Sequence, residues 1–220
     1  MTSISVLMPW RGGDPAREEI WEWARPRWEA TGLELCIGTD DEGGPFNLNR
    51  SLNRAREKAS GDILVVGNAD NIPEPKRLRA AAKHQMSGGW CLPFRKRDIL
   101  TPEASRAILN GGDPDEKWPV MERTGCAGLV MMAAEVWDEL APWDERFSGW
   151  GGEELARASV LYTFHGPPPA KQGRCRELWH ERPKRAKGAP NKVLRRRYQE
   201  AEFDADAMWG LIQEAREAAS

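Results

Sequence analysis

The sequence contains little cysteine, histidine and tyrosine, and it has no long apolar run. Its 220 residues include four cysteines, three histidines and two tyrosines. No two cysteines form a C-x-x-C pair, so the sequence indicates neither a cysteine-based zinc site nor a disulfide framework, and isolated thiols in a reducing compartment are the simplest interpretation. No apolar segment approaches the roughly 18 residues that a membrane span needs, and the N-terminus lacks the pattern of a signal peptide. We therefore expect a cytoplasmic protein that has no membrane partner.

Charge and length limit the possible classes further. The formal net charge is −2 although 30% of the residues are charged, so the whole molecule is not an evident binder of polyanions. A chain of this length can bury one core of ordinary size.

Tryptophan, in contrast, is abundant, with 11 residues. Three of them stand beside polar motif residues, where a flat aromatic face could hold a sugar or a base: Trp10, Trp150 and Trp179.

Apolar runs alternate with helical segments in the first third of the chain. Short β-branched runs predict strands over residues 3–9, 33–39 and 62–68. Between them, an Asp-Pro signal at residues 14–15 predicts the start of one helix, and the polar segment 47–60 predicts another. This order predicts an α/β fold with a mostly parallel central sheet that is flanked by helices.

The second half of the chain contains further strand signals and then a change of composition. Three apolar segments predict later strands, at residues 88–94, 127–133 and 159–166. The stretch 171–197 carries eleven Lys or Arg against two Glu, and an acidic, amphipathic stretch follows it. We therefore divide the chain into a main domain, residues 1–182, and a basic-then-acidic helical C-terminal extension, residues 183–220.

Polar side chains follow each of the first three predicted strands, in the segments "PWR", "TDDE" and "NADN". Sheets of this kind bind ligands at the carboxyl ends of their strands. Arg11 suits a phosphate group, and Asp40 or Asp41 can accept a hydrogen bond from a base or from a ribose hydroxyl. An ordinary surface arginine and a solvated acidic loop explain the same residues, and without further information the simpler explanation is favoured.

The segment "SGWGGEELA" concentrates more chemistry than any other short stretch. Its plainest explanation is a turn that leads into a helix whose first-turn glutamates, Glu153 and Glu154, offset the positive end of the helix dipole. A functional interpretation uses more of the motif. Gly151 and Gly152 allow the backbone to approach a ligand closely, Trp150 offers a face for sugar C–H groups, and the two carboxylates can bind hydroxyls and accept a proton. We favour the functional interpretation.

Four short segments, in this order along the chain, resemble glycosyltransferases of the GT-A fold. The segments are "LMPWR", "FNLNRSLN", "VVGNADNIP", and "GLVMM" with "FSGWGGEE". They are closest in motif to the β-1,4-galactosyltransferases and have some likeness to the polypeptide N-acetylgalactosaminyltransferases. The resemblance covers roughly residues 4–180. It implies a Rossmann-like GT-A fold and a transferase that takes a galactose, glucose or N-acetylhexosamine type of hexose from a nucleotide diphosphate sugar, a UDP-hexose, with Mn²⁺ or Mg²⁺.

The resemblance also implies which residues contact the nucleotide sugar. These are the residues at the end of the first strand, at the start of the second helix and in the glycine-rich motif, namely Pro9, Trp10, Arg11, Asn47, Arg50, Asn53, Trp150, Gly151 and Gly152. Asn47 serves equally well as the N-cap of its helix.

A metal site is implied by the segment "NADN". Asp70 takes the place of the metal-binding last aspartate of the family's motif, and a strand-end carboxylate that faces a diphosphate suits Mn²⁺ or Mg²⁺. Asn68 stands where the family has its first acidic residue, which predicts weaker metal binding or a neutral hydrogen bond to the sugar or ribose. His180 matches in position a late histidine that completes the metal shell, and His165 is the backup ligand.

In inverting members of these families, the last acidic residue of the glycine-rich motif is the general base. The resemblance therefore implies that Glu154 deprotonates the acceptor hydroxyl and that Glu153 binds hydroxyls of the donor sugar. The acceptor is left open between a protein, a glycan, a small molecule and a modified DNA base, which the basic stretch 171–197 would contact. The alternative is a nucleic-acid-binding module on a catalytically degenerate glycosyltransferase scaffold, with Asn68 as the mark of lost catalysis.

Overall fold

The computed structural model describes residues 2–84, 86, 89–125, 129–149, 151–169, 173–181 and 189–219. Its strands are β1 (Ile4–Trp10), β2 (Glu34–Thr39), β3 (Ile63–Val66), β4 (Trp90–Cys91), β5 (Lys96–Leu100), β6 (Val120–Gly125), β7 (Met131–Ala133) and β8 (Arg174–Glu177). Its helices are α1 (Pro15–Glu29), α2 (Leu48–Arg56), α3 (Pro75–His84), α4 (Pro102–Leu109), α5 (Ala134–Leu140), α6 (Glu153–His165), α7 (Ala189–Glu200) and α8 (Ala205–Ala219).

Five strands form the central sheet, in the order β2-β1-β3-β7-β4. Strand β1 pairs in parallel with β2 on one side and with β3 on the other. Strand β7 is antiparallel to both β3 and β4. Because β4 therefore points the same way as β3, only β7 among these five strands runs in the opposite direction. The mostly parallel sheet that the sequence predicts is confirmed.

The order of the first three strands creates a crevice at one edge of the sheet. The chain leaves β1 for β2 on one side and then returns to β3 on the other side. Helix α1 packs on one face, where Trp28 shares a core cluster with Val6, and helix α2 packs on the opposite face, where Leu52 clusters with Leu7. A reversal of this kind separates the two crossover helices, so the carboxyl ends of β1 and β3 are open to a ligand.

The helices of the C-terminal extension belong to the same core as the sheet. Helix α7 packs against α6, and Tyr198, Met208 and Ile212 are buried in the cluster that also contains Leu7. The boundary proposed near residue 182 falls among residues 182–188, which lie outside the described part of the chain, so that boundary stays a prediction.

One sequence-based strand prediction is wrong. Residues 159–165 form the second half of helix α6 and not a strand. The β-branched and aromatic residues of this run favour a strand locally. However, Val160 and Leu161 are buried on the face that α6 turns towards the core, and a short apolar run fits a buried helix as well as a strand.

A second, smaller sheet has the order β6-β5-β8. Strand β5 is antiparallel to β6 and parallel to β8.

Among the described residues, none of the helices combines the length and the apolar composition that a membrane span requires. The cytoplasmic location stays a prediction.

Glycine at position 38 is required by the contact between β2 and α2. A Cβ atom at Gly38 would overlap the carbonyl oxygen of Ser51 and would lie 2.6 Å from the backbone nitrogen of Ala55. Both obstructing atoms belong to the backbone of α2, so they cannot move aside as a flexible side chain can. This close approach sets the position of α2 on the sheet.

We predict that Gly38→Ala lowers the free energy of unfolding by about 3 kcal/mol, because α2 must shift away from β2. Urea unfolding at neutral pH measures the change. Gly43→Ala is the matched control, since a Cβ at Gly43 meets no atom within 4 Å, and it should change the free energy by less than about 0.5 kcal/mol. Equal stability of the two variants would contradict the packing described here.

Candidate active site

Asp40 lies at the end of β2 and organises the rim of the crevice. The residue is only 1% exposed, and its carboxylate accepts hydrogen bonds from the backbone nitrogen of Asn47 at 2.8 Å and from Nη1 of Arg50 at 3.1 Å. Arg11 Nη1 lies 3.6 Å from the same carboxylate. Burial by itself raises the pKa of Asp40, but the two hydrogen bonds and the charge of Arg11 outweigh burial, so the pKa is lowered. Asp40 therefore carries a negative charge that ties three segments together.

The guanidinium group of Arg11 donates hydrogen bonds to the loop that follows β2. Its Nη2 donates to the carbonyl oxygen of Glu42 at 2.5 Å, and its Nη1 donates to that of Gly44 at 2.9 Å. The side chain keeps 28% of its surface exposed, so part of the guanidinium faces solvent at the rim. The phosphate contact expected of Arg11 stays a prediction.

The polar residues of helix α2 hold the chain that precedes the glycine-rich motif. Asn47 caps the helix and donates through Nδ2 to the carbonyl oxygen of Glu145 at 2.7 Å. Asn53 bonds to both backbone groups of Trp143, each at 3.0 Å. Arg50 Nε donates to Oε2 of Glu145 at 2.9 Å. These three side chains have protein partners, and the nucleotide contacts expected of them stay predictions.

Three other candidate residues lie near the same rim with different surroundings. Pro9 is buried within β1. The ring of Trp10 stacks on that of Trp21, with ring centroids 5.2 Å apart. Asp41 is exposed and accepts a hydrogen bond from Oγ1 of Thr39 at 2.9 Å. Of the three, only Asp41 is an exposed residue.

Asp70 and His180 meet although they are 110 residues apart in the sequence. Oδ2 of Asp70 lies 3.1 Å from Nε2 of His180. The chain after β8 brings the histidine there, because the backbone nitrogen of Leu178 donates to the carbonyl oxygen of Asp70 at 2.8 Å. Nδ1 of His180 lies 2.9 Å from the carbonyl oxygen of Glu181, which fixes the ring so that Nε2 faces Asp70. The hydrogen bond with Asp70 raises the pKa of His180, against the effect of burial.

Unpartnered polar atoms surround this pair. Oδ1 of Asp70 is buried and has no hydrogen-bond partner, and the same holds for both side-chain polar atoms of Asn71. Asn68 is half-buried, and its carbonyl oxygen accepts from the backbone nitrogen of Asn71 at 3.1 Å. Buried polar groups are normally paired, so the free carboxylate oxygen marks a position where a bound group would fit.

The glycine-rich motif lies beside the start of α2. We use the name glycine loop for Ser148, Gly149, Gly151 and Gly152. Trp150 lies outside the described residues. The backbone nitrogen of Gly149 donates to the carbonyl oxygen of Phe46 at 3.0 Å, and the three glycines have left-handed φ angles of 74°, 109° and 104°. This backbone shape requires glycine, and the contact with Phe46 holds the loop at the rim where β2 ends.

The two adjacent glutamates at the start of α6 differ in exposure. Glu153 is 3% exposed, and its Oε2 has no hydrogen-bond partner. Burial raises the pKa of Glu153 and the charge of Glu154 adds to the effect, whereas Arg157 opposes it. Glu154 is half-buried, so solvent reaches its side chain. Glu153 is expected to bind hydroxyls of the donor sugar, but its carboxylate is buried in this structure. That role, and the role of Glu154 as general base, stay predictions.

Sequence reasoning missed two residues of the site. Glu145 accepts hydrogen bonds from α2, as described above, and an acidic residue two positions ahead of "FSGWGGEE" could have drawn attention to it. Asn191, from helix α7, bonds to the glycine loop. Nothing in its local sequence points to that contact, because the residues it meets lie 40 and 43 positions away.

Comparisons with known proteins bear on the fold. No family model matches the chain, and neither does any curated protein. The solved catalytic domain of Drosophila β-1,4-galactosyltransferase 7 with xylobiose matches at 16% identity and a TM-score of 0.56, over 89% of this chain and 80% of that one. A point mutant of that enzyme with manganese, UDP-Gal and xylobiose matches at 17% identity and a TM-score of 0.50, over 80% of this chain and 65% of that one.

The chain has the GT-A fold. The fold expected from four short segments is thereby confirmed. At the identities given above, the likeness concerns the path of the chain and not its chemistry. The residues after β1, β2 and β3 follow parallel strands and therefore lie at one edge of the sheet. The glycine loop contacts Phe46, whose neighbour Asn47 bonds to Asp40 after β2.

We predict that Asp40→Asn lowers the free energy of unfolding by about 2 to 3 kcal/mol at pH 7, because Arg11 and Arg50 lose their buried anionic partner. The lowered pKa gives this contribution a defined pH dependence. It is fully present above the unfolded value, about 3.9, and is lost as pH falls through the folded pKa. The difference between the variant and the wild type should therefore shrink as pH falls below the unfolded value and through the lowered folded pKa.

Urea unfolding of wild type and variant at a series of pH values provides the measurement. Asp41→Asn is the matched control, because Asp41 is exposed, and it should shift the free energy of unfolding by less than about 0.5 kcal/mol throughout. A difference between Asp40→Asn and wild type that stays constant with pH would contradict the charged state assigned to Asp40.

Proposed function

We propose that this protein is a glycosyltransferase that moves a hexose from a UDP-linked donor to an acceptor hydroxyl with inversion. The observation that carries the proposal is the meeting of Asp70 and His180 at the carboxyl end of β3 in a GT-A fold. The glycine loop contacts Phe46 beside the start of α2, and Glu154 follows this loop in the first turn of α6. The galactosyltransferase 7 structure with manganese and UDP-Gal supports a donor of this class for the present chain.

The residues near Asp70 fit a divalent metal ion. Oδ1 of Asp70 is a buried oxygen without a partner, and carboxylate oxygen is a preferred ligand of Mg²⁺ and Mn²⁺. Among the described residues, no group of three or more His, Cys, Asp and Glu side chains is arranged to hold a metal. Asp70 and His180 would therefore hold the ion together with diphosphate oxygens and water. A bound Mn²⁺ or Mg²⁺ would neutralise the charge of the departing diphosphate.

Glu154 is the residue proposed to accept the proton. As a half-buried carboxylate at the first turn of α6, it combines access to solvent with a position directly after the glycine loop. It takes the proton of the acceptor hydroxyl while the acceptor oxygen bonds to the anomeric carbon. The bond from that carbon to the diphosphate breaks at the same time, and the nucleoside diphosphate leaves with the electron pair.

The basic stretch gives little support to a DNA acceptor or to the nucleic-acid-binding alternative. Arg196 pairs with Glu200 at 2.7 Å, and Arg197 pairs with Glu214 at 2.7 Å. Cations that are already neutralised by neighbours contribute less to phosphate binding. Residues 182–188, which belong to the same stretch, lie outside the described residues.

Release of nucleoside diphosphate from a panel of nucleotide sugars, with and without Mn²⁺, tests the proposal directly. Mass spectrometry of candidate acceptors then identifies the product. Metal-stimulated release from a UDP-hexose is the expected result. No release from any donor, together with tight and salt-sensitive DNA binding, would favour the nucleic-acid-binding alternative.

We predict that Glu154→Gln lowers kcat by about 10²- to 10⁴-fold, because the amide cannot accept the proton. Binding of the donor should persist, since the substitution preserves the size of the side chain. Steady-state kinetics and calorimetric titration with UDP measure the two effects. Glu135→Gln, on the exposed surface of α5, controls for loss of a carboxylate elsewhere, and full activity of the Glu154 variant would exclude it as the base.

We predict that Asp70→Ala abolishes the enhancement of UDP binding by Mn²⁺, because the substitution removes the unpartnered carboxylate oxygen and the partner of His180. Titration of UDP in the presence and absence of Mn²⁺ measures this enhancement. The internal control is the wild type without Mn²⁺. The variant with Mn²⁺ should bind UDP with the same affinity as this control. An undiminished response to Mn²⁺ in folded Asp70→Ala protein would show that the metal binds elsewhere.

A further inference from the structure

Helix α7 of the C-terminal extension reaches the glycine loop through one side chain. Nδ2 of Asn191 donates to the carbonyl oxygens of Ser148 at 3.0 Å and of Gly151 at 3.2 Å. Oδ1 of the same amide accepts from the backbone nitrogen of Ser148 at 3.2 Å. One amide group therefore binds the loop on both sides of position 150, and it uses its donor and its acceptor together.

The glycine loop needs an external support of this kind. Its three glycines all have left-handed φ angles, and glycine loses more conformational freedom on ordering than any other residue. The loop precedes α6, and the hydrogen bonding of that helix reaches only its last residue, Gly152, whose carbonyl oxygen accepts from the backbone nitrogen of Ala156 at 3.0 Å. Side-chain hydrogen bonds from a neighbouring element supply the missing restraint.

Packing brings the same helix against the loop. A Cβ atom at Gly152 would lie 3.3 Å from the Cβ of Arg195 and 3.4 Å from the carbonyl oxygen of Asn191. On its other side it would meet a ring carbon of Phe147 at 3.3 Å. Gly152 is thus enclosed between α7 and the preceding chain, and this close approach places Asn191 within hydrogen-bond reach of the loop.

Helix α7 is itself firmly held, so it can act as a rigid support. Tyr198 is 3% exposed, and its hydroxyl donates to Oδ2 of Asp144 at 2.9 Å. Arg197 pairs with Glu214 of α8. Asp144 is in turn held by α2, because Nδ2 of Asn49 donates to the carbonyl oxygen of Asp144 at 2.8 Å.

We propose that Asn191 is a positioning residue for the transfer reaction: it fixes the glycine loop, and with it the first turn of α6, so that Glu154 keeps its place beside the acceptor hydroxyl. The inference rests on the proposed function. It makes the C-terminal extension part of the catalytic machinery, although Asn191 touches no reacting atom.

Asn191→Ala tests this role in the full-length chain. We expect kcat to fall by about tenfold to hundredfold, because a small displacement of a catalytic group costs rate of that order. The affinity for UDP with Mn²⁺ should stay unchanged, since Asp70 and His180 keep their contacts. Amide hydrogen exchange at Ser148 should accelerate, because its N–H loses its acceptor. Gln199→Ala, which removes an exposed amide side chain from the same helix, should alter none of these.

The outcomes separate this inference from the proposed function. A wild-type protein that transfers no sugar would overturn the proposed function, while hydrogen exchange would still report whether Asn191 holds the loop. An active wild type with unchanged kcat in Asn191→Ala would overturn the positioning role, as would equal losses of kcat and UDP affinity. If Asn191→Ala does not fold, Asn191→Asp tests the positioning role instead. The aspartate keeps an oxygen that accepts from the backbone nitrogen of Ser148, but its second oxygen replaces the NH₂ group that donates to the carbonyl oxygens of Ser148 and Gly151. Its kcat should fall while protection of Ser148 remains, and an unchanged kcat would overturn the role.

Discussion

Side-chain amides of helix α2 hold an irregular backbone segment, and the candidate site depends on this interaction. Asn47 and Asn53 supply donors and an acceptor to the chain around Trp143 and Glu145. Backbone groups outside helices and strands must find partners elsewhere, and here they find them on a helix that is itself pressed against β2 at Gly38. The sheet therefore sets the position of α2, and α2 sets the position of the segment that leads into the glycine loop.

The start of helix α6 is held from its two sides. On one side, the buried Arg157 of α6 donates to Oδ1 of Asn49 in α2 at 3.0 Å. The guanidinium carbon of Arg157 also lies 5.2 Å from the ring centroid of Trp143. From the other side, Asn191 bonds to the glycine loop. Glu153 is buried near Arg157, whereas the adjacent Glu154 is half-buried and its side chain is reached by solvent.

Local patterns in the sequence predicted most of the fold. The alternation of strands and helices, and the Asp14 cap that accepts from the backbone nitrogens of Ala16 and Arg17, depend on residues within one or two turns of each other. The same locality explains the wrong strand at residues 159–166. An apolar run with β-branched residues satisfies a buried helix and a buried strand alike, and packing against the core decided between them.

The sequence by itself determined the class of fold and the chemical types available at the strand ends, because hydrophobic period, capping and short motifs are properties of neighbouring residues. Only the tertiary structure decided which of those side chains meet. The family resemblance led us to expect Asp70 and His180 at one site, and the structure places them in contact across 110 positions. It also buried Glu153 and brought Asn191 to the glycine loop, which no motif indicated. Such contacts depend on how helices and strands pack after the chain has reversed several times, and no local pattern carries that information.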